Sequence, residues 1–192
     1  MTLLLIGPAC EDLIIIGDNE SSKVGGASFF QSFVYEEFYN DYLAMVNASN
    51  ADLIDEFPDN SKVKLILKDE THHFINEYPD KDNLDMRKQS TNFADIPILA
   101  DEIKNILDEC EIDDGDIDAF VLTPLNSNDF PIETLEFLKS FEVPIYISLQ
   151  GFLRFMDENN SMVLKLSDDL KYIFDISDTI FMDEGEFDII KC

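Results

Sequence analysis

The sequence predicts an α/β protein built on a largely parallel β-sheet with helices on its faces. Three observations carry that expectation. From residue 97 onward, helical and strand patterns alternate, which implies right-handed crossovers between parallel strands. The earlier part is richer in strands and poorer in helices. Hydrophobic residues make up 45% of the chain and include 16 Phe, enough apolar mass for a real core and far too much for a disordered, solvated chain.

The elements follow in order. Residues 3–6 form a short apolar run ended by Gly7-Pro8, the pattern of a buried strand. Residues 13–16 form a second run, closed by Gly17-Asp18-Asn19, and residues 21–26 are small and turn-rich. Across 27–39 the period becomes helical, with Phe29, Phe30, Phe33, Val34 and Phe38 spaced along one helix. Residues 42–46 read as a strand, and Ser49 as the N-cap of a short helical segment. Residues 63–67 and 72–78 read as a hairpin turned at Lys68-Asp69-Glu70, followed by a polar, irregular stretch over 79–92.

Residues 97–110 are the clearest helix. Pro97 suits its first turn, and Ile98, Leu99, Ile103, Ile106 and Leu107 form one face. Beyond it come a strand at 119–122, a helix at 131–141, a strand at 143–149, a helix at 167–174 capped by Ser167, and a strand at 179–182. A last helix begins at Glu184. There is no internal repeat, and the 192 residues read as a single domain.

Charge narrows the function. Lys plus Arg number 13 against 41 Asp plus Glu, a net charge of −28. That argues against nucleic acid, whose affinity comes from basic clusters, and against an anionic membrane surface. No apolar run approaches the roughly 18–20 residues of a membrane span. The N-terminus reads as a first strand rather than a signal peptide. Cys10, Cys110 and Cys192 are odd in number and widely spaced, which fits reduced thiols in a cytoplasmic protein.

Familiar motifs fail. The acidic loop over 109–118 cannot be an EF-hand, because Gly115 at position six places Cys110 and Val121 where carboxylates are required. His72 and His73 are adjacent, so in a strand they point to opposite faces and do not share a metal. No other histidine is available for a Ser-His-Asp or Cys-His arrangement. Neither a P-loop nor a G-x-G-x-x-G is present.

Two features remain. Gly7-Pro8-Ala9-Cys10-Glu11-Asp12 ends the first strand with a turn and a carboxylate, and Gly25-Gly26 precedes a helix. Paired glycines let backbone approach a ligand, and a nearby carboxylate accepts hydrogen bonds from sugar hydroxyls; the alternative is a tight loop beside an acidic residue. The chain's only arginines are Arg87, in the polar stretch, and Arg154, just beyond the strand at 143–149. An arginine there either faces the crevice at the strand ends or pairs with a surface carboxylate.

A strand, G-x-x-x-x-D, a second short strand and Gly25-Gly26 opening a helix resemble the N-terminal signature of the ribokinase-like (PfkB) carbohydrate kinase family. Thr71-His72-His73-Phe74-Ile75-Asn76 with Arg87-Lys88-Gln89 resembles the middle segment of its archaeal-type members. The run from Pro144 through Gln150-Gly151-Phe152-Leu153-Arg154 resembles their D-x-Q-G-F-L-R strand and loop. Asp178-Thr179-Ile180-Phe181-Met182 with Glu186 resembles the later strand and the N-x-x-E helix. The resemblance covers nearly the whole chain in order.

It implies a ribokinase-like three-layer α/β sandwich with a small β lid, its lid strands within 10–25 and 62–78, truncated at the C-terminus. It implies phosphoryl transfer from ATP with Mg2+ to a hydroxyl of a sugar or nucleoside. Asp12, Gly25, Gly26, Asn76, Arg87 and Arg154 would serve the substrate, and Glu186 would lie near the phosphate and metal. The sequence departs from the pattern in three places. Phe30 and Gln31 stand where the family often has Asn, Asp183 replaces the Asn of N-x-x-E, and the G-A-G-D segment is not found. That segment would supply the catalytic base and anion hole. The expectation is a kinase relative inactive as residues 1–192 alone, needing a complementary C-terminal polypeptide or a C-terminal extension for activity, and associating with itself or with a partner. The alternatives are a non-catalytic binding module derived from the fold and an unrelated acidic interaction module.

Overall fold

The computed structural model describes residues 1–80, 83, 86–158 and 162–191. In chain order the strands are β1 (Thr2–Ile6), β2 (Cys10–Ile16), β3 (Asn19–Gly25), β4 (Tyr42–Ala48), β5 (Val63–Leu67), β6 (His72–Tyr78), β7 (Lys88–Asn92), β8 (Ile117–Leu122), β9 (Ile145–Ser148), β10 (Arg154–Met156), β11 (Met162–Leu164) and β12 (Thr179–Phe181). The α-helices are α1 (Ala27–Phe38), α2 (Ala100–Glu109), α3 (Ile132–Lys139), α4 (Leu170–Ile176) and α5 (Glu184–Ile190).

Six strands form the main sheet in the order β12-β9-β8-β1-β4-β5, and every pairing in it is parallel. The apolar runs of β1, β4 and β8 follow from this, because a parallel strand buries both faces. Leu4, Ile6, Met45, Phe120 and Leu122 face one way and pack with Ile103 of α2, Leu135 of α3 and Ile173 of α4. Leu3, Leu5, Ala44, Val46 and Val121 face the other way, toward Leu53, Phe57 and Phe29. The α/β expectation with a mostly parallel sheet holds.

A second sheet runs β3-β2-β6-β7, with β2 and β6 parallel and the outer pairs antiparallel. It corrects three expectations. Residues 63–67 and 72–78 are not a hairpin: β5 pairs with β4, and β6 with β2. A period-two pattern marks a strand without naming its partner, and Lys68 is anchored away from a turn by hydrogen bonds to the Pro97 carbonyl and Glu102. The small residues after Asn19 form the strand β3, because an antiparallel partner suits exposed Ser21 and Ser22. The polar stretch contains β7; residues 81, 82, 84 and 85 lie outside the described residues, as does Cys192.

Smaller corrections concern helix ends. Asn50, not Ser49, caps the short helix Ala51–Glu56, accepting from the Asp52 amide, and that helix is 3-10. Residues 97–99 are outside α2, whose N-cap is Leu99. A hairpin of β10 and β11 gave no sequence signal.

The helix at 27–38 is where expected, but its packing inverts the pattern. Ser28 and Ser32 are its buried residues, while Phe30, Phe33, Val34 and Phe38 are exposed, Phe38 at 83%. Of the aromatic stripe, Phe29 turns inward against Phe57, with ring centroids 5.1 Å apart.

Candidate functional site

Alternate residues of the four-stranded sheet share one face. Cys10 pairs with His72, Asp12 with Phe74 and Ile14 with Asn76, and across the other side Asp12 pairs with Lys23 and Asn76 with Gln89. Asp12, Phe74, Asn76 and Lys23 therefore lie on one face, and Gln89 Nε2 donates to Asn76 Oδ1 at 2.8 Å. Phe74 and Cys10 pack with Leu125 of the loop after β8, which brings this face against the C-terminal end of the main sheet.

The two glycines fit this corner for different reasons. A side chain on Gly25 would collide with the Asp12 carboxylate and the Cys10 sulfur. Gly26 has φ 100°, a backbone region that L-residues rarely adopt, and a Cβ there would come within 2.7 Å of the Pro8 carbonyl oxygen. The Ser28 hydroxyl donates to that carbonyl at 2.9 Å, fixing the start of α1 beside the turn.

Burial raises the Asp12 pKa, offset in part by the Cys10 thiol, Lys23, Arg87 and Arg154. The thiol donates to Asp12 Oδ1 at 3.6 Å and is itself pushed up by burial. Arg154 is buried, its guanidinium 5.7 Å from the Phe74 ring centre. Burial lowers its pKa, while Glu186 opposes that shift. Glu186 is buried, raised by that burial, and closes a capping box in which it accepts from the Asp183 amide while Asp183 accepts from its own. Arg87 is exposed, and its charge reaches both Asp12 and Arg154. Asp12, Gly25, Asn76 and Arg154 thus gather around one sheet face, Gly26 supports the turn, Arg87 flanks it, and Glu186 lies at the C-terminal ends of β9 and β12.

Sequence reasoning missed His72 and Asp129. His72 Nδ1 accepts from the Ala94 amide at 3.1 Å, so its proton sits on Nε2, which donates to Asp129 Oδ1 at 3.1 Å. Asp129 Oδ2 accepts from the Leu125 and Asn126 amides. Only the strand assignment, which separates His72 from the exposed His73, hinted that the two histidines differ.

A cleft of about 620 Å3 lies beside the same strands. Asp12 and Lys23 border it, but Glu11, Leu13, Val24 and Ile75 belong to the opposite face of the sheet, and the segment over 50–56 closes it. A separate cavity of about 270 Å3 has Arg154 in its wall.

A nucleotide with its metal is a poor fit to the residues present. The depression at the ends of β9 and β12 offers Ser148, Gln150, Asp183 and Glu186, and no cationic side chain lines it. Glu186 is already committed to the helix cap. Among the described residues no three metal-ligating side chains converge. Without a lining cation, the phosphates of a nucleotide meet two carboxylates here, Asp183 and Glu186, with no positive charge to offset them.

No family model matches the sequence, and no curated protein matches it. Solved structures do match its fold. A pyrophosphate-dependent kinase in the ribokinase family, in a sulfate complex, superposes with TM-score 0.79 at 17% identity, over 97% of this chain and 64% of its own. A pyrophosphate-dependent kinase in that family, complexed with a pyrophosphate analog and myo-inositol, gives 0.76 at 15% identity over 97% and 63%. A Burkholderia thailandensis nucleoside kinase in complex with ADP-inosine gives 0.61 at 13% identity over 98% and 62%. This chain therefore spans under two-thirds of the length of each.

Proposed function

We propose, from the premise that this chain has a ribokinase-like fold, that it is the acceptor-binding portion of a small-molecule kinase relative, and that residues 1–192 alone do not transfer a phosphoryl group. The observation that carries the reading is the gathering of Asp12, Asn76 and Arg154 around one sheet face beside the Gly25-Gly26 turn. Asp12 accepts hydrogen bonds from vicinal hydroxyls of a sugar, polyol or nucleoside, and the Asn76–Gln89 pair orders the next position along the strand. The four-stranded sheet acts as the lid over the acceptor. Chain similarity to kinases that bind myo-inositol or inosine supports a polyhydroxylated acceptor.

The donor half of the reaction lacks its groups in this sequence. No G-A-G-D segment occurs in it, and the residues near Glu186 do not suit ATP with Mg2+. Those groups would come from a second polypeptide or from further chain beyond these residues, and the exposed stripe of Phe30, Phe33, Val34 and Phe38 offers an apolar surface for association. Free Cys10 and Cys110 agree with a cytoplasmic setting, and no described helix is long and apolar enough to cross a membrane.

The test pairs binding with turnover. Purified 1–192 is expected to bind myo-inositol or inosine in calorimetry, and Asp12→Asn to abolish it, with no phosphorylated product when ATP or pyrophosphate and Mg2+ are added. A second reading, a protein-interaction module derived from the fold, draws on the same exposed stripe. It gains if the chain binds no polyol or nucleoside yet self-associates through α1.

A further inference from the structure

The two faces of the six-stranded sheet are covered unequally. On the face of Phe120, Ile147 and Ile180 it meets α2, α3 and α4, and Ile190 of α5 packs there too. On the other face, α1 and the short helix over 51–56 cover β1, β4 and β5. Strand register carries that second face outward from Val121 to Tyr146 and on to Thr179, with Phe181 two residues further along β12. Here the cover runs out. Tyr146 is half-buried, Thr179 is exposed, and Phe181 is 57% exposed. A parallel sheet ordinarily buries both faces, so this bare quarter is the exception. β12 also has β9 as its only neighbour in the sheet, which leaves its outer edge open.

α1 forms the wall beside this bare floor. Phe29 meets Phe57 and Glu36 pairs with Lys62, so one flank of α1 faces the segment over 51–62. By the helical period, Val34 and Tyr35 turn toward the opposite flank. Tyr35 lies near Tyr146 of β9: burial first, and then that neighbour, raises its pKa. Val34 is 54% exposed. The result is a trough with Val34 and Tyr35 on its wall and Tyr146, Thr179 and Phe181 on its floor. Its surroundings are one-signed. α1, β8, β9 and β12 contain no Lys or Arg. Asp118, which accepts from the Tyr39 hydroxyl, and Asp178 stand at the N-terminal ends of the strands, and Asp183 at the C-terminal ends.

We infer that this trough receives an amphipathic helix of a second polypeptide, apolar toward Val34 and Phe181 and basic at its margins. Apolar anchors in a groove with complementary charge at the rim are the terms on which such helices dock. A second copy of this chain is a poor occupant, because each copy brings −28 and the same acidic rim. The inference deepens the kinase-relative reading and rests on it: a polypeptide that brings the missing donor groups docks on this face.

The test uses purified, 15N-labelled 1–192 and a synthetic peptide of Leu and Lys patterned as one amphipathic helix. A Leu/Glu peptide of the same pattern is the control, and ionic strength is held constant. The expected result is saturable binding of the Leu/Lys peptide that moves the amides of β9, β12, Val34 and Tyr35. Phe181→Ser should weaken it by about tenfold, and Thr179→Lys should weaken it by opposing the peptide's charge. Leu67→Ser, at an exposed position on the other edge strand, β5, should leave it unchanged. Shifts scattered over the acidic surface, equal binding of the Leu/Glu peptide, or binding untouched by Phe181→Ser would overturn the inference. So would a dimer in sedimentation that Phe181→Ser dissociates, since a second copy then fills the trough. Asp12-dependent myo-inositol binding is followed in the same samples. If it persists while the peptide does not bind at the trough, the docking inference alone falls; if it is absent while the peptide binds there, the acceptor reading falls and the docking surface stands.

Discussion

His72 Nε2 donates to Asp129 Oδ1 at 3.1 Å, with both side chains essentially removed from solvent. This bond ties β6 of the four-stranded sheet to the loop between β8 and α3, and the same loop carries Leu125 and Asn126. The sheet that presents Asp12 and Asn76 is therefore fastened to the main body by a buried polar link as well as by Phe74 and Leu125 packing.

Removing that link should loosen the sheet. His72→Ala leaves Asp129 with one fewer donor and the Ala94 amide unsatisfied, and is expected to destabilise the fold by about 2 kcal/mol. Chemical denaturation checks the loss. Hydrogen exchange should show faster opening at β2 and β6 than at β1 and β8.

Asp12 should trade stability for binding. Its carboxyl lies above the ordinary 3.8 because burial disfavours the charged form. As pH rises through the ordinary value, the unfolded chain ionises first, so stability falls until the raised folded value is passed. Asp12→Asn removes that loss. The variant should be more stable than the wild type at neutral pH, with the gap closing below the ordinary carboxylate range, while binding of a polyol is lost. Denaturation curves at several pH values and a binding titration measure the two effects.

The start of α1 depends on one backbone conformation. Gly26→Ala places a side chain at φ 100° and against the Pro8 carbonyl, and should destabilise by about 1–3 kcal/mol. Thermal melting measures it. Gly17→Ala, also at positive φ but with open space around it, should lose less.

The exposed stripe of α1 should matter for association and not for folding. Phe38→Ser removes a ring that is 83% exposed, so stability should change by no more than about 0.5 kcal/mol. Binding of a hydrophobic dye and self-association in sedimentation should both fall. A large loss of stability would mean that the stripe packs within the chain.

Much of the main sheet was legible because buried parallel strands are short apolar runs between turn signals, as at Leu3 to Ile6 and at Phe120 to Leu122. Asp12, Gly25 and Arg154 stood out for similar reasons: a carboxylate after a strand, a glycine pair and a rare arginine are visible in one dimension. Strand partnership was not. The sequence around Lys68 looks like a hairpin turn because pairing across sheets leaves no local mark. The inward role of Ser28 and Ser32 was hidden because small residues at helix–sheet contacts carry no hydrophobic signal, while the Phe stripe suggested the wrong face. His72 and Asp129 lie 57 positions apart, and only the fold brings them together.

Residues 1–192 are expected to bind an acceptor at the Asp12 face without performing the transfer. Saturation-transfer NMR and phosphorus NMR on one sample of the purified chain test it most directly, with myo-inositol, inosine, ATP, pyrophosphate and Mg2+ present, beside an Asp12→Asn control. The expected result is acceptor saturation that disappears in the control, and no new phosphate ester. A phosphorylated acceptor, or saturation unchanged by Asp12→Asn, would contradict it.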